Sequence, residues 1–580
     1  MKKLILIFTM IFVLGTFLAF ADDGGSYYPE DWSYGNIYVK EPNDKIALKK
    51  ELLVVEQMNI YRSAKIRGSE ITALFGFKNT TKEAVTVPCA FPVVLTTQFA
   101  VKKDETVSNY IYIGNGIFSD NSALAIALQK DVYEIKDNNQ LNVTKSELFA
   151  LDKKLATVSA SEYIKNLSRF GINDRIYKPI EIYQDKKKVP ILTVGIETTI
   201  EKNEELNELV YREQEFYKYD EIYTLKLVLH FYHELHFAPN ASSSLRVRYD
   251  INTKKRDYHG SEYAVRYDIS TGGTWKGAIE DFLVLTDSEM EANNSKTTFD
   301  ITPLGEISES GVEFVLYAAK NYKPQQNEYF DFKTKSPYRE DLFFVKADAE
   351  AQQDFVTQIR SSSTLSGTFK MAGNQNLYWD NWDEADKDEN LRSSTYAAET
   401  SFDGILYNGW VEGVKGDGIG EWIEFTLTKS ALGPFATNGL RRFANLDSTW
   451  LSNNRVRSMT LLKSSGKEKA IVNFADLFPK FSNWFSSQRI AVNAVRNPLF
   501  LEKGTYRLRL DSVYKGTKWD DTVLGEVWFI PLSGLASEII FSDKSGLFQN
   551  ELNKIVQEYV SHYVSRLEDD MRRDKESSEK

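Results

Sequence analysis

Four glycines, at 413, 416, 418 and 420, fall between Val411 and Glu421. So dense a set makes a helix or an unbroken strand improbable there, because glycine gives up more backbone freedom than any other residue in either element. Regular structure resumes only beyond them. Glu421 to Leu427 alternates, with Ile423, Phe425 and Leu427 on one side and Trp422, Glu424 and Thr426 on the other, the period of a strand with one buried face. Upstream, Phe402-Asp403-Gly404 supplies a turn and Trp410 follows a short loop. The stretch predicts strands joined by a shaped loop, and it sets the terms for the rest of the chain.

The same alternation recurs to the N-terminal side. Ile71, Ala73, Phe75 and Phe77 share a face, 245–249 and 263–269 alternate, and 279–285 and 312–318 read as further strands. Ala84 to Thr97 is apolar but carries Pro88 and Pro92, which confine it to an edge or a bulge. Between these strands, Thr144 with Glu147 and Ser159 with Glu162 form capping-box patterns that predict two short helices, the first with a face of Leu148, Leu151, Leu155 and Val158, the second with Tyr163, Ile164 and Leu167. Glu201 to Tyr223 shows no clean period and reads as a loop or irregular extension. The polar stretch Asp348 to Thr364 marks a domain boundary. Beyond it, Met459 and Leu461, then Tyr506, Leu508 and Leu510, then Val527 and Phe529 give three inward faces. After Leu532 the period becomes helical, with Leu552, Ile555, Val556, Tyr559, Val560, Tyr563 and Leu567 on one stripe that docks on a sandwich or on a second copy.

The expected architecture is therefore mainly β. An N-terminal β-sandwich module at 22–350 carries a small helical insertion near 144–170; a sandwich at 351–535 and a helix with a charged tail at 536–580 follow. Lys2-Lys3, the apolar run Leu4 to Leu18 and Ala19-Phe20-Ala21 have the form of a secretory signal cleaved before Asp22, which predicts an exported protein, periplasmic, surface-held or secreted. No later run reaches the roughly 20 apolar residues of a spanning helix. A net charge of −11 argues against nucleic acid as the main partner. Cys89 stands alone, so no internal disulfide forms, and its apolar setting predicts a buried structural thiol.

Three of the five histidines, His230, His233 and His236, lie in one strand-like run. On a strand His233 faces away from the other two, so no single metal reaches all three. Carboxylate pairs such as Glu421 with Glu424 or Asp520 with Asp521 arise by chance in so acidic a chain, and no nucleophile elbow, phosphate loop or dinucleotide fingerprint stands in a supporting context. The reading is non-enzymatic. Eight of the ten tryptophans lie after residue 378, and an indole plane beside Asp, Asn and Arg suits the apolar face and hydroxyls of a sugar. The block Asn374 to Asn390, with Trp379 and Trp382 among aspartates, reads as an exposed acidic loop.

The pattern F-D-G, then W-V-E-G-V-K-G-D-G-I-G-E-W-I-E, then Asn454-Arg455-Val456, then YKGTKWDDTVLGEVWF at 514–529 resembles the discoidin-type, galactose-binding-like jelly rolls, and in detail the NADase-type glycan-binding domain of secreted bacterial proteins. The resemblance implies a β-sandwich jelly roll that binds a glycan or cell-envelope polysaccharide through loops carrying Trp410, Trp450, Asn454, Arg455, Trp519 and Asp520. Each has a structural alternative, Trp410 and Trp519 as plugs at the ends of the core above all. It also implies a structural calcium at Asp403 and Glu526, although 405–409 lacks the second Asp and the Ser or Thr usual in that loop. The alternative function is a structural envelope protein whose jelly roll docks on a protein. Ile71 to Val93, Phe237 to Tyr249 and Tyr263 to Phe282 resemble an exported bacterial family of unknown function, which implies a β-rich module and no particular reaction.

Overall fold

The structure is a computed structural model that describes residues 43–56, 68–101, 180–202, 221–252, 263–307, 312–334, 352–372, 391–442, 448–477 and 493–578. It also describes shorter pieces at 33–35, 38–39, 106–108, 111–113, 116–118, 141–144, 146, 149–150, 154–159, 254–255 and 342–343. The expected signal segment, the second predicted helix, the acidic block 374–390 and most of 201–223 lie outside these residues.

The N-terminal part is organised on a nine-stranded sheet. Within it Ile46–Glu56 pairs antiparallel with Gly68–Asn79 and parallel with Ile279–Thr286. Both faces of this sheet are covered, which accounts for the apolar runs 52–55 and 282–285 in its middle strands. Leu53 and Val55 join Ile71, Ala73, Phe75 and Phe77 in a core shared with a seven-stranded sheet. Leu52 and Val54, one residue out of phase, join Leu283, Leu285 and Leu316 in a second core shared with the C-terminal part.

In the seven-stranded sheet, Val85–Val101 pairs with Glu221–Phe237 over its whole length. Near Pro88 and Pro92 its other side pairs only with Tyr38–Val39 among the described residues, so the prolines sit where a missing N–H costs no ladder bond. The first predicted helix is corrected. A helical bond runs from Ala150 N–H to the Ser146 carbonyl (3.0 Å), but Lys154–Ser159, which holds Leu155 and Val158, is a strand paired antiparallel with Thr193–Lys202. Leu155 and Val158 fit a helical stripe; the neighbouring strand's open backbone groups capture the segment instead.

The C-terminal sandwich has the order Val356–Ser361, Trp422–Leu427, Gly504–Tyr514, Asn454–Lys463, Thr522–Pro531, Ala431–Asn438, Leu499–Leu501. Ile423, Phe425, Leu427, Met459, Leu461, Tyr506, Leu508, Leu510, Val527 and Phe529 are all buried in one core, as their alternation predicts. Among the described residues three α-helices accompany the strands: α1 (Ser448–Ser452), α2 (Gly534–Ser542) and α3 (Leu547–Ser578). Ser533 caps α2 by accepting from Ala536 N–H (3.3 Å).

Helix α3 is wedged between the two parts, because its apolar stripe is wide enough to serve both. Toward the N-terminal sheet the Tyr559 hydroxyl donates to Glu56, its ring meets Phe314 edge-on at 5.4 Å, and Arg246 pairs with Glu551 at 2.9 Å. Toward the sandwich Asn553 accepts from Phe500 N–H (2.7 Å), Gln557 donates to the Pro498 carbonyl (3.1 Å), and Arg496 pairs with Glu568. The predicted docking of the stripe on a sandwich is thus met on two sides.

Candidate functional site

One end of the sandwich collects the glycine-rich loop, α1 and the 515–521 loop. Its centre is Glu412, fully buried, whose carboxylate accepts from Val414 N–H (2.8 Å) and Thr522 N–H (3.1 Å). Burial raises its pKa, and those two backbone bonds work against the rise. Gly418 passes so close that a Cβ there would lie 2.4 Å from Glu412 Cγ, at a φ of +65° that side chains rarely take. The loop turns over its own carboxylate.

Asp417 ties this loop to the other two. Its carboxylate accepts from Asn454 Nδ2 (3.0 Å) and from Lys515, and the ammonium of Lys515 is the chief cause that holds it below the usual range. Its carbonyl accepts from the Thr522 hydroxyl at 2.7 Å. Asn454 in turn accepts from Gly516 N–H (2.8 Å) and donates to the Asp520 carbonyl (2.7 Å). Gly516 has no room for a side chain, since a Cβ would sit 2.4 Å from the Ser452 carbonyl oxygen. The three sequence blocks are three sides of one knot.

Residues 378–530 match the NAD glycohydrolase translocation F5/8 type C domain. This is a discoidin-like family, and the matched segment contains all three interlocked blocks. No curated protein matches the chain. Among solved structures, a protein from Legionella pneumophila subsp. pneumophila described as a nutrient-binding candidate aligns over 52% of this chain and 70% of its own, at 11% identity and a TM-score of 0.25, too low to bear on the fold. The N-terminal resemblance to an exported family is not supported by these comparisons.

Within the F5/8 type C-like part, the expected glycan residues divide sharply. Trp410 is wholly buried, with its indole N–H donating to the Ser363 carbonyl (2.8 Å). Trp450 is buried too, bonded to the Asn438 carbonyl (2.7 Å) and covered by the Arg455 guanidinium 4.2 Å from its ring centroid. Arg455 forks onto Asp476 at 2.6 and 3.1 Å and holds the Trp450 and Asn453 carbonyls. Asn454 is fully buried in the knot. The expectation that these four touch a ligand is corrected: their polar atoms are spent on neighbouring loops, and their ring faces are closed.

Trp519 and Asp520 are different. Trp519 is 41% exposed, its backbone N–H is pinned to the Ser452 carbonyl (2.8 Å), and the Lys518 ammonium lies 4.3 Å from its ring centroid. The Asp520 side chain is exposed. At the same end of the sandwich Val414 and Ile419 of the glycine-rich loop and Leu451 of α1 also stand out into solvent; a loop has no period to say which way a side chain points, and a five-residue helix is too short to show one.

The calcium expectation does not fit. Both Asp403 oxygens accept protein hydrogens, from Ile405 N–H (2.8 Å) and Asn408 Nδ2 (2.7 Å), and Glu526 Oε1 accepts from Gly404 N–H (2.9 Å). The pair closes the F-D-G turn, and among the described residues no three His, Cys, Asp or Glu side chains form a metal-holding group. His230, His233 and His236 lie on the strand Glu221–Phe237 as predicted. His230 meets Glu197 at 3.2 Å, His236 meets the Thr86 hydroxyl at 3.0 Å, and His233 is buried with Nδ1 on the Phe231 carbonyl. Burial pulls the His233 imidazole down to about 4 and pushes the Cys89 thiol up to about 12.

Proposed function

We propose that the protein is an exported, non-catalytic binding protein that takes a carbohydrate at the loop end of its C-terminal sandwich. The observation that carries this reading is Trp519, a large aromatic ring held out in water on a loop immobilised by its neighbours. Such a ring is pre-organised to stack on the apolar face of a sugar, while Asp520 accepts from its hydroxyls. Trp450, Asn454 and Arg455 serve the site by positioning it. The fold of the family supports the reading, since a carbohydrate-binding-like sandwich is its frame.

A second reading rests on Val414, Ile419 and Leu451, whose exposure at the same loop end suits docking of a protein of the cell envelope. A glycan array with the full chain and with Trp519→Ala separates the two. Sugar binding predicts a discrete class of hits that drops about tenfold in affinity, ~1.4 kcal/mol, in the variant. A flat array together with one dominant cross-linked protein, insensitive to free sugar, refutes the first reading in favour of the second.

A further inference from the structure

The loop that carries Trp519 is tied down residue by residue. Thr517 N–H donates to the Leu451 carbonyl (2.9 Å), and the N–H groups of Lys518 and Trp519 both donate to the Ser452 carbonyl (3.0 and 2.8 Å). The Asp520 carbonyl accepts from Asn454 Nδ2 (2.7 Å) and the Asp521 carbonyl from Asn454 N–H (3.0 Å). Every residue from 517 to 521 therefore has a bonded backbone, while the side chains of Lys518, Trp519 and Asp520 are exposed and that of Asp521 is half-buried. A loop held this way meets a ligand at little further cost in order.

Lys518 turns its ammonium onto the Trp519 ring, 4.3 Å from the centroid, although Asp520 is close by in the chain. Among the described residues Lys518, Asp520 and Asp521 enter no ion pair, and neither aspartate's carboxylate accepts a hydrogen bond. Lys515 is spent on Asp417, which leaves Lys415 and Lys518 against Glu412, Glu421, Asp520 and Asp521 at this end of the sandwich. The surplus is acidic. Burial and then Asp520 raise the Asp521 carboxyl, and Asp521 and Glu421 add to the burial that raises Glu412. An indole face attracts a cation through its quadrupole, and the chain's own ammonium marks where one rests.

We propose that the sugar taken at this corner is an unacetylated amino sugar, whose ammonium replaces that of Lys518 on the Trp519 ring and donates to Asp520. The inference rests on the carbohydrate reading of the Trp519 corner and adds the substrate class. An ammonium has three N–H donors, so one group can lie at the ring face and still bond the carboxylate beside it. A neutral sugar leaves the acidic surplus unanswered, and a carboxylated one adds to it. The net charge of −11 draws cations toward the chain as a whole. Lys518 is then a tethered competitor that the ligand displaces.

Titration calorimetry of the full chain, at a mildly acidic pH that keeps the amine charged, tests it with tetramers of glucosamine, N-acetylglucosamine and glucose in the same linkage. Tetralysine serves as the probe that has ammonium groups and no sugar. The glucosamine tetramer should bind about tenfold more tightly than the other three. Trp519→Ala and Asp520→Asn should each weaken it about tenfold, whereas Lys518→Ala, which removes the competitor, should strengthen it about threefold. These side chains are exposed, so the variants keep the fold. Weaker or unchanged binding in Lys518→Ala, or tetralysine bound as tightly as the glucosamine tetramer, overturns the proposal. Equal or tighter binding of the acetylated or glucose tetramer through Trp519 overturns it too, and leaves the carbohydrate reading standing. If no sugar binds through Trp519, both fall.

Discussion

Replacing Glu56 by glutamine probes how α3 is held against the N-terminal sheet. Glu56 ends the strand Ile46–Glu56 and accepts from the Tyr559 hydroxyl of α3. Burial, with Glu70 and Asp287 nearby, drives its carboxyl up to about 8; the Tyr559 bond and Arg248 pull the other way. The fold thus favours the protonated acid. Stability from this group is fully present below the ordinary glutamate pKa of 4.5 and is lost as pH rises toward about 8. At ~1.36 kcal/mol per unit the full shift corresponds to roughly 5 kcal/mol, and because Glu56 is only half-buried by surface area, about 2 kcal/mol is the working figure. Hydrogen exchange of α3 peptides reads it locally. After correction for intrinsic rates, wild-type protection should fall about thirtyfold between about pH 5 and pH 9, whereas Glu56→Gln should hold nearly level. An equal fall in both proteins, or none in either, would show that Glu56 does not set the docking of α3.

Three further outcomes follow from the same geometry. Gly418→Ala should cost about 1–3 kcal/mol in denaturant unfolding of the sandwich, since its Cβ meets Glu412 Cγ at 2.4 Å on a left-handed backbone; an unchanged midpoint would mean that the loop is not packed on Glu412. His233 has a depressed pKa, so its contribution is present above about 6.5 and is lost as pH falls through about 4, and its NMR titration should show no imidazolium near neutrality. Cys89, buried and with its thiol pushed up to about 12, should resist a water-soluble thiol reagent in the native protein and react on unfolding.

Much of the sandwich was legible because a strand writes its buried face into neighbouring residues. Ile423, Phe425 and Leu427 could be assigned inward with no partner in view, and so could the alternating orientation of His230 and His233. Leu155 and Val158 were misread because their spacing suits a helix, and a strand more than 30 residues later supplied the competing partner. The motif itself was visible, but its meaning was not. Asp417 in the glycine-rich loop and Asn454 in the next block give no sign of each other in the sequence, since 37 residues separate them and only the fold closes the bond between them.

The sequence by itself determined the β class, the inward faces of the strands, the apolar stripe of α3 and the loop that no regular element could occupy. Each follows from periodicity or from a backbone restriction that neighbouring residues impose. Only the tertiary structure decided that Trp410 and Trp450 are enclosed while Trp519 stands in solvent, that Glu412 bonds a backbone N–H 110 residues away, and that α3 joins the N-terminal sheet to the sandwich within one core. A side chain in a loop takes its direction from whatever the fold brings beside it.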